Sequence, residues 1–262
     1  MPTSALQVAR TGLEAQDARM RVIANNLANV GTTGFKKDRA NFATLTYQDA
    51  RVAGQRSSGE TAYATGLNLG TGVAIQSTSQ IVTQGALNNT GGALDLALDG
   101  DGYFQVEMPG GRLGYTRAGN FTRSAEGQLV TQQGYVVQPA ITVPEGAGAI
   151  AVSHDGIISA MLAGESEPAE LGQLQVASFA NPAGLQAIGD NFLVETAASG
   201  AAQLAPGGEN GRGGIRQGML EASNVNIVEE LVDMIECQRA YEINSKMISS
   251  VDEMLRNANQ TL

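Results

Sequence analysis

The chain has 262 residues, of which 42% are hydrophobic, and a formal net charge of −10 from 16 Lys and Arg against 26 Asp and Glu. That length is enough to bury one or two hydrophobic cores, whereas the acidic balance excludes a nucleic-acid-binding role, which requires a basic surface. The single cysteine, Cys237, excludes an intramolecular disulfide, and 33 glycines with 5% aromatic residues are typical of short strands joined by tight turns.

The first predicted element is an amphipathic helix over residues 3–30. Its apolar positions alternate at steps of three and four, as in the a/d seam of a heptad helix, and only Gln16 interrupts them. The seam consists of Leu6, Ala9, Leu13, Met20, Ile23, Leu27 and Val30. Gly31 is predicted to end the helix, and residues 32–34 to form a turn that places Phe35 as an apolar anchor.

Residues 48–72 are rich in Gly, Ser, Thr, Gln and Ala and have no sustained period. This stretch is longer than most connections inside a compact domain. We therefore expect a long loop that is either disordered in the free protein or ordered by neighbouring molecules.

Alternating apolar residues begin at Val73 and strengthen from Leu94 to Leu98. Turn signals such as residues 99–102 and 109–111 then separate short apolar runs. The pattern predicts eight to ten short strands in an antiparallel all-β domain over residues 75–220, built as a sandwich or a barrel-like sheet.

A second amphipathic helix is predicted from Asn226 to about Asn257, with Asn226 and Glu229 at capping-box spacing. The acidic residues of its first turns lie near the positive end of the helix dipole. The apolar row again alternates at steps of three and four and shifts by one residue before Val251. It consists of Ile227, Leu231, Met234, Gln238, Tyr241, Ser245, Ile248, Val251, Leu255, Ala258 and Leu262.

The two helices are expected to pair, because each leaves an apolar stripe that is marginal in water alone. Their charges are complementary: residues 1–39 carry six basic against three acidic residues, and residues 221–262 carry three against eight. The sequence leaves open whether the partner is the other end of the same chain or that of a neighbour. Two ordinary core helices of one globular domain are the alternative.

No residue pattern indicates catalysis, a metal or a cofactor. The sole histidine, His154, precedes a turn and has no second histidine or cysteine partner for a metal site or a nucleophilic triad. Asp95, Asp99 and Asp101 do not match a calcium loop, since the twelfth position is Val106 rather than Glu. Hydrolysis by a pair of carboxylates stays open as an alternative, because carboxylate separations are unknown.

Two long motifs carry a resemblance. Residues 23–36 read IANNLANVGTTGFK and residues 223–246 read SNVNIVEELVDMIECQRAYEINSK, and the middle adds DGDGYFQV at 99–106 and YTRAGNF at 115–121. These stretches resemble the bacterial flagellar axial proteins, the rod and hook family. The motif residues are Asn25, Asn26, Asn29, Gly34, Phe35, Asn224, Asn226, Arg239, Tyr241 and Lys246.

Within that family, the chain length and the stretch at residues 47–73 are most similar to the distal-rod members. The resemblance implies a structural, non-enzymatic subunit without cofactors that polymerises with itself into a helical tube. Its implied partners are proximal-rod proteins, the hook protein, the peptidoglycan and outer-membrane ring proteins, and the flagellar type III export apparatus. It also implies a basal body spanning the periplasm and export without a cleaved signal peptide.

The expected fold is therefore mixed α and β, with long terminal helices paired as a coiled-coil-like unit around an antiparallel all-β middle domain. The expected segments are an N-terminal axial helix (1–34), an extended linker with the distal-rod-type stretch (35–74), the β domain (75–220) and a C-terminal axial helix (221–262). The assembly seam residues are Leu6, Leu13, Met20, Ile23, Leu27, Val30, Ile227, Leu231, Met234, Tyr241, Ile248 and Leu255.

Overall fold

The computed structural model describes residues 2–52, 54, 56, 63–144, 146–162, 168–209 and 211–260, with side chains from residue 5 to residue 257. Two long helices, α1 (Pro2–Ala28) and α2 (Ile227–Gln260), flank a strand-rich middle. The predicted mixed fold with terminal helices around an antiparallel β region is thereby confirmed.

The start of α2 follows from local chemistry. At the start of α2 the Val228 N–H donates to Asn226 Oδ1 at 3.1 Å, which satisfies one of the backbone donors that the first turn leaves free. The acidic residues of that turn, Glu229 and Glu230, lie at the positive end of the helix dipole. At the other side of the chain, α1 ends two residues before Val30, the last residue of the predicted seam.

The strands are more numerous than predicted. The described residues contain twenty strands, and seventeen of them, β4 to β20, lie in or overlap residues 75–220, where eight to ten were predicted. Tight glycine turns divide the runs there more finely than their apolar periods indicate. The strands are β1 (Asp38–Thr44), β2 (Tyr47–Arg51), β3 (Leu67–Gly70), β4 (Val73–Gln80), β5 (Leu87–Asn89), β6 (Leu96–Asp99), β7 (Tyr103–Met108), β8 (Arg112–Thr116), β9 (Thr122–Arg123), β10 (Leu129–Val130), β11 (Val136–Gln138), β12 (Ile150–Val152), β13 (Ile157–Ala160), β14 (Ala169–Gln173), β15 (Gln175–Ser178), β16 (Gln186–Gly189), β17 (Phe192–Val194), β18 (Gln203–Pro206), β19 (Gly214–Gln217) and β20 (Met219–Glu221).

The contacts within the chain define two compact units. The helical unit comprises residues 1–27, 38–79 and 226–262, and the β unit comprises residues 28–37 and 80–225. The division into four segments with separate roles in an assembled subunit stays a prediction.

Besides α1 and α2, the helical unit contains two two-stranded ribbons. One ribbon pairs β1 with β4 and the other pairs β2 with β3, where Tyr47 faces Gly70 and Asp49 faces Asn68. The prediction of a loop throughout residues 48–72 is therefore wrong at both ends of that stretch. Residues 53, 55 and 57–62, also part of the predicted loop, lie outside the described residues.

The β unit is built on a nine-stranded antiparallel sheet. Its main path runs in the order β16, β17, β8, β7, β11, β10 and β9, and β15 joins β7 to β18. A three-stranded sheet (β12–β13–β14) and two pairs, β19 with β6 and β20 with β5, complete the unit. The pair of β20 with β5 brings Glu221 opposite Leu87, so the chain that leads to α2 is itself part of the β unit.

The core of the β unit lies between these sheets. Fifteen buried residues form its main cluster, and Phe104 and Phe121 pack edge to face in it with ring centroids 5.1 Å apart. A second cluster surrounds Phe179, whose ring lies 4.8 Å from that of Tyr115. Edge-to-face pairs add to the stability already gained by burial of the rings.

Candidate functional site

The helix pair of the helical unit is antiparallel and tightly packed. Arg19 Nη2 lies 2.9 Å from Asp233 Oδ1, and farther along the pair the Cys237 thiol donates to the Gln16 carbonyl oxygen at 3.1 Å. A Cβ atom added to Gly12 would lie only 3.1 Å from Asn244 Nδ2. The predicted attraction between a basic first helix and an acidic second helix includes this Arg19–Asp233 ion pair, whose side chains are 35% and 45% exposed and which is therefore of the kind that contributes about 0–1 kcal/mol.

Cys237 lies at the centre of this pair and is fully buried. Burial raises the pKa of the Cys237 thiol, so the group stays protonated and acts as a small apolar residue with one weak hydrogen bond.

The predicted seam of α1 faces inward. Ile23 is buried, and Leu6, Leu13, Met20 and Leu27 are half-buried. Val30, which follows α1, is half-buried in the β unit. All six predicted positions are therefore at least partly covered within the single chain.

The predicted seam of α2 is divided between two environments. Met234, Ile248 and Leu255 are half-buried, whereas Ile227, Leu231 and Tyr241 are 47%, 43% and 43% exposed. The residues that α2 buries most deeply are Glu230, Cys237 and Val251. The row that contacts α1 thus runs one position before Leu231 and Gln238, through small and polar residues that permit close approach of the two helices.

A broad apolar surface of α2 is left exposed. We define the outer face of α2 as its exposed large apolar residues: Ile227, Val228, Leu231, Val232, Ile235, Tyr241, Ile243, Met247 and Met254. Val228 and Ile243 are 69% and 62% exposed. Large apolar residues exposed together on one helix are characteristic of an interaction surface.

Asn26, a motif residue only 2% exposed, ties three segments of the helical unit together. Its Nδ2 donates to the Asp38 carbonyl oxygen at 2.9 Å and to Glu230 Oε2 at 3.2 Å, and its Oδ1 accepts from the Asp38 N–H at 2.9 Å. The end of α1, the start of β1 and the first turn of α2 therefore share one amide.

The neighbouring motif residues Asn25 and Asn29 are exposed and half-buried, respectively. The Thr32 hydroxyl donates to Asn29 Oδ1 at 3.2 Å, which closes the turn after α1. The motif residues Arg239, Tyr241 and Lys246 lie exposed on α2.

Asp38 supplies a prediction on pH. Burial raises the pKa of its carboxyl above the ordinary value, so the folded chain binds a proton more readily than the unfolded chain. The ionised carboxylate therefore lowers stability as pH rises from the ordinary pKa of Asp through the raised one. We expect Asp38→Asn to increase the free energy of unfolding at pH 7, and urea titrations should find this gain absent below the ordinary pKa, where both states are protonated. An equal gain at both pH values would contradict this assignment.

In the β unit, Asn224 holds the segments on either side of it. Its Oδ1 accepts from the Lys37 N–H at 2.7 Å, and its Nδ2 donates to the carbonyl oxygens of Ile81 at 2.7 Å and Thr83 at 3.1 Å. The Ile81 N–H in turn donates to the Lys37 carbonyl oxygen at 2.9 Å. One side chain thus fixes the segment that follows α1 and the segment that follows β4.

Gly34 is required by its surroundings. It has a φ of +69°, and a Cβ atom there would lie 2.6 Å from the Arg117 carbonyl carbon. Its N–H donates to the Glu221 carbonyl oxygen at 2.8 Å. The next residue, Phe35, is half-buried in the β unit, as an anchor of this turn.

We expect Gly34→Ala to lower the free energy of unfolding by about 2–4 kcal/mol, because both the left-handed backbone and the contact with Arg117 penalise a side chain. Gly31→Ala is the matched control. Gly31 belongs to the same turn, and a Cβ atom there would meet nothing within 4 Å. Thermal and urea unfolding of the two variants should differ; equal stability would disprove the steric requirement.

Beside Gly34 lies a buried cluster of charges that sequence reasoning missed. Lys36 Nζ lies 2.5 Å from Glu221 Oε1, and Arg117 Nη1 lies 3.1 Å from Glu221 Oε2. The side chains of Lys36, Arg117 and Glu221 are 4%, 5% and 0% exposed. No periodicity marks these positions, although Lys36 closes one of the two terminal motifs.

The described residues contain no group of three or more His, Cys, Asp or Glu side chains placed to hold a metal ion. His154 packs against Gly214, and its carbonyl oxygen accepts from the Ile215 N–H at 2.9 Å. Within the same part of the chain, neither helix is long and apolar enough to cross a membrane.

Three family models match this chain. They are the flagellar hook protein FlgE/F/G D1 domain over residues 97–160, the flagellar basal body rod FlgEFG protein C-terminal over residues 216–261, and the flagella basal body rod protein over residues 6–36. The two terminal models include most of α1, Asn26, Asn224 and all of α2.

Similar relatives cover almost the whole chain. The flagellar basal-body rod protein FlgG of Buchnera aphidicola is 48% identical over 97% of this chain and 98% of its own length. The FlgG of Caulobacter vibrioides is 47% identical over 98% of both chains, and that of Borreliella burgdorferi is 46% identical over 97% of both.

Proposed function

Because the chain belongs to the family of flagellar basal-body rod proteins, we propose that the outer face of α2 joins copies of it into the rod. Its function is that of a structural subunit of the distal rod, and it is not an enzyme. The three relatives described above, which are 46–48% identical, carry the name FlgG.

The observation that carries the proposal is the exposure of the outer face. A single chain covers α1 on its seam side but leaves Leu231, Val232 and Ile235 about half exposed. Other copies of the chain would remove these residues from water, and each fully buried aliphatic side chain contributes about 1.5–3 kcal/mol. Association therefore takes its free energy from residues that the isolated subunit cannot bury.

The rod would form by a head-to-tail contact. A contact between two different surfaces that does not close into a ring repeats as an open helix. One kind of subunit is then sufficient for a tube, and torque is shared by many copies of the same contact. In this arrangement the segments 1–34 and 221–262 form the inner tube, the β domain at 75–220 forms the outer layer, and the stretch at 35–74 contacts neighbouring subunits.

The proposal also covers the neighbours of the protein in the flagellum and its route of export. We expect it to polymerise with itself, to join proximal-rod proteins at one end and the hook protein at the other, and to pass through the peptidoglycan and outer-membrane ring proteins. It would reach this periplasm-spanning position through the flagellar type III export apparatus, without a cleaved signal peptide.

The test is complementation. A strain whose own copy of this gene has been deleted should stop swimming and should yield basal bodies without a complete rod in electron micrographs. Reintroducing the gene should restore both. Normal rods in the deleted strain would overturn the proposal.

Two alternative functions, a proximal-rod subunit and a hydrolase, predict different effects of mutation. A proximal-rod subunit of the same family should tolerate deletion of residues 48–66, whereas a distal-rod subunit should lose straight, rigid assembly. A hydrolase would lose a measurable activity on replacement of Asp99 or Asp101 while assembly stayed normal.

A further inference from the structure

In the buried charge cluster of the β unit, both carboxylate oxygens of Glu221 accept hydrogen bonds. Glu221 Oε1 accepts from Lys36 Nζ and from the Gly85 N–H at 2.9 Å, and Oε2 accepts from Arg117. The two cations are held from their other sides as well. Lys36 Nζ donates to the Thr83 carbonyl oxygen and Arg117 Nη2 to the Gly100 carbonyl oxygen, each at 2.7 Å.

The cluster lies where the chain enters and leaves the β unit. Lys36 belongs to the segment that follows α1 in sequence, and Glu221 to the segment that precedes α2. The two segments are also joined through their backbones, since the Gly34 N–H donates to the Glu221 carbonyl oxygen. Asn224 adds a second connection three residues later, through the Lys37 N–H.

Close packing restricts the positions that the segments around Lys36 and Glu221 can take. A Cβ atom on Gly85 would lie 2.0 Å from the Ala222 carbonyl oxygen, and one on Gly34 would lie 2.6 Å from the backbone of Arg117. The segments around Lys36 and Glu221 therefore approach their neighbours closely at glycine positions, and ion pairs hold them in place.

A buried ion cluster is a poor device for stability alone. Removing charges from water costs free energy that their attraction only partly returns, and well-packed apolar residues of similar volume are often as stabilising or more so. Charged groups with fixed hydrogen-bond partners do, however, discriminate between alternative packings. Sliding the Glu221 segment by one residue would leave Lys36 and Arg117 as two buried like charges, and sliding the Lys36 segment would separate Lys36 from its carboxylate partner.

We infer that Glu221, together with Lys36 and Arg117, fixes the register of the segment that follows α1 against the segment that precedes α2, and that rod assembly requires this register. Asn224 holds the same register through the Lys37 N–H and is part of the inference. This inference rests on the proposed rod function, because only an assembly of identical subunits requires the same register in every copy. The cluster thus consists of positioning residues for assembly rather than residues of the contact surface.

The experiment separates positioning from stability. Three full-length variants are compared in the deleted strain and as purified chains: Glu221→Leu, the triple change Lys36→Met with Arg117→Met and Glu221→Leu, and the control Asp99→Asn with Arg216→Gln. The control removes an ion pair of the same unit whose side chains are 37% and 50% exposed.

We expect Glu221→Leu to lose both swimming and stability, and the triple variant to regain the urea midpoint of the unaltered chain while still failing to form rods. The control should swim normally. A triple variant that regains both stability and swimming would overturn the inference.

Asn224→Ala keeps the test decisive if the triple variant does not fold. This change introduces no buried charge, and it should yield a folded subunit that fails to assemble; a folded Asn224→Ala subunit that builds normal rods would equally overturn the inference. Failure of the unaltered gene to restore swimming would instead contradict the proposed rod function, so the two failures are distinguishable.

Discussion

Leu231→Asp is expected to abolish rod assembly while leaving the isolated subunit as stable as the unaltered chain. Leu231 is 43% exposed in the single chain, and substitutions at such positions usually change the free energy of unfolding by less than about 0.5 kcal/mol. In the rod the same position would be covered, and a buried unpaired carboxylate costs several kcal/mol at each contact. Complementation of the deleted strain and urea unfolding of the purified chain measure the two effects.

Two control substitutions show whether the effect of Leu231→Asp comes from the charge on the outer face. Leu231→Met keeps an apolar side chain of similar volume and should preserve swimming. Val251→Asp places the same carboxylate at a position buried within the helical unit, so it should destabilise the isolated chain as well. If Leu231→Asp subunits form normal rods, the outer face of α2 is not the contact surface.

Lys36→Met should be among the most destabilising single substitutions in the β unit. It removes one of the two cations around Glu221, whose side chain is fully buried, and breaking a buried ion pair from one side costs about 3–5 kcal/mol. We expect a correspondingly lower urea midpoint for the purified chain.

Lys246→Met is the matched control for Lys36→Met. Lys246 lies exposed on α2, so the same chemical change there should alter the free energy of unfolding of the isolated chain by less than about 0.5 kcal/mol. Equal losses for the two variants would mean that the buried cluster contributes no more than an exposed charge.

The sequence predicted the helices well because their apolar periods extend over many turns. It identified the cap residue Asn226. The predicted seam of α1 is partly covered in the single chain, and the role of its residues in assembly stays a prediction. On α2 the largest apolar residues suggested a row through Leu231 and Tyr241, whereas the residues that contact α1 include Glu230, Cys237 and Asn244. Helix proximity is set there by small and polar side chains, which a search for large apolar residues passes over.

Contacts between residues distant in sequence were beyond prediction. Lys36, Arg117 and Glu221 are brought together by the path of the chain through the β unit, and no local pattern relates them. The strands β2 and β3 were likewise missed, because Tyr47–Arg51 and Leu67–Gly70 are short and largely exposed on both sides. Their pairing depends on each other rather than on an alternating apolar face.

Hydrogen exchange of the α2 amides tests the central claim most directly. The claim is that the outer face of α2 is exposed to solvent in the single subunit and becomes buried only when copies assemble. We predict that in the dilute purified chain the amides of the outer face of α2 exchange faster than that of Cys237, which is buried against α1, and that they become strongly protected in isolated basal bodies. Full protection of both terminal helices in the dilute chain would contradict the account.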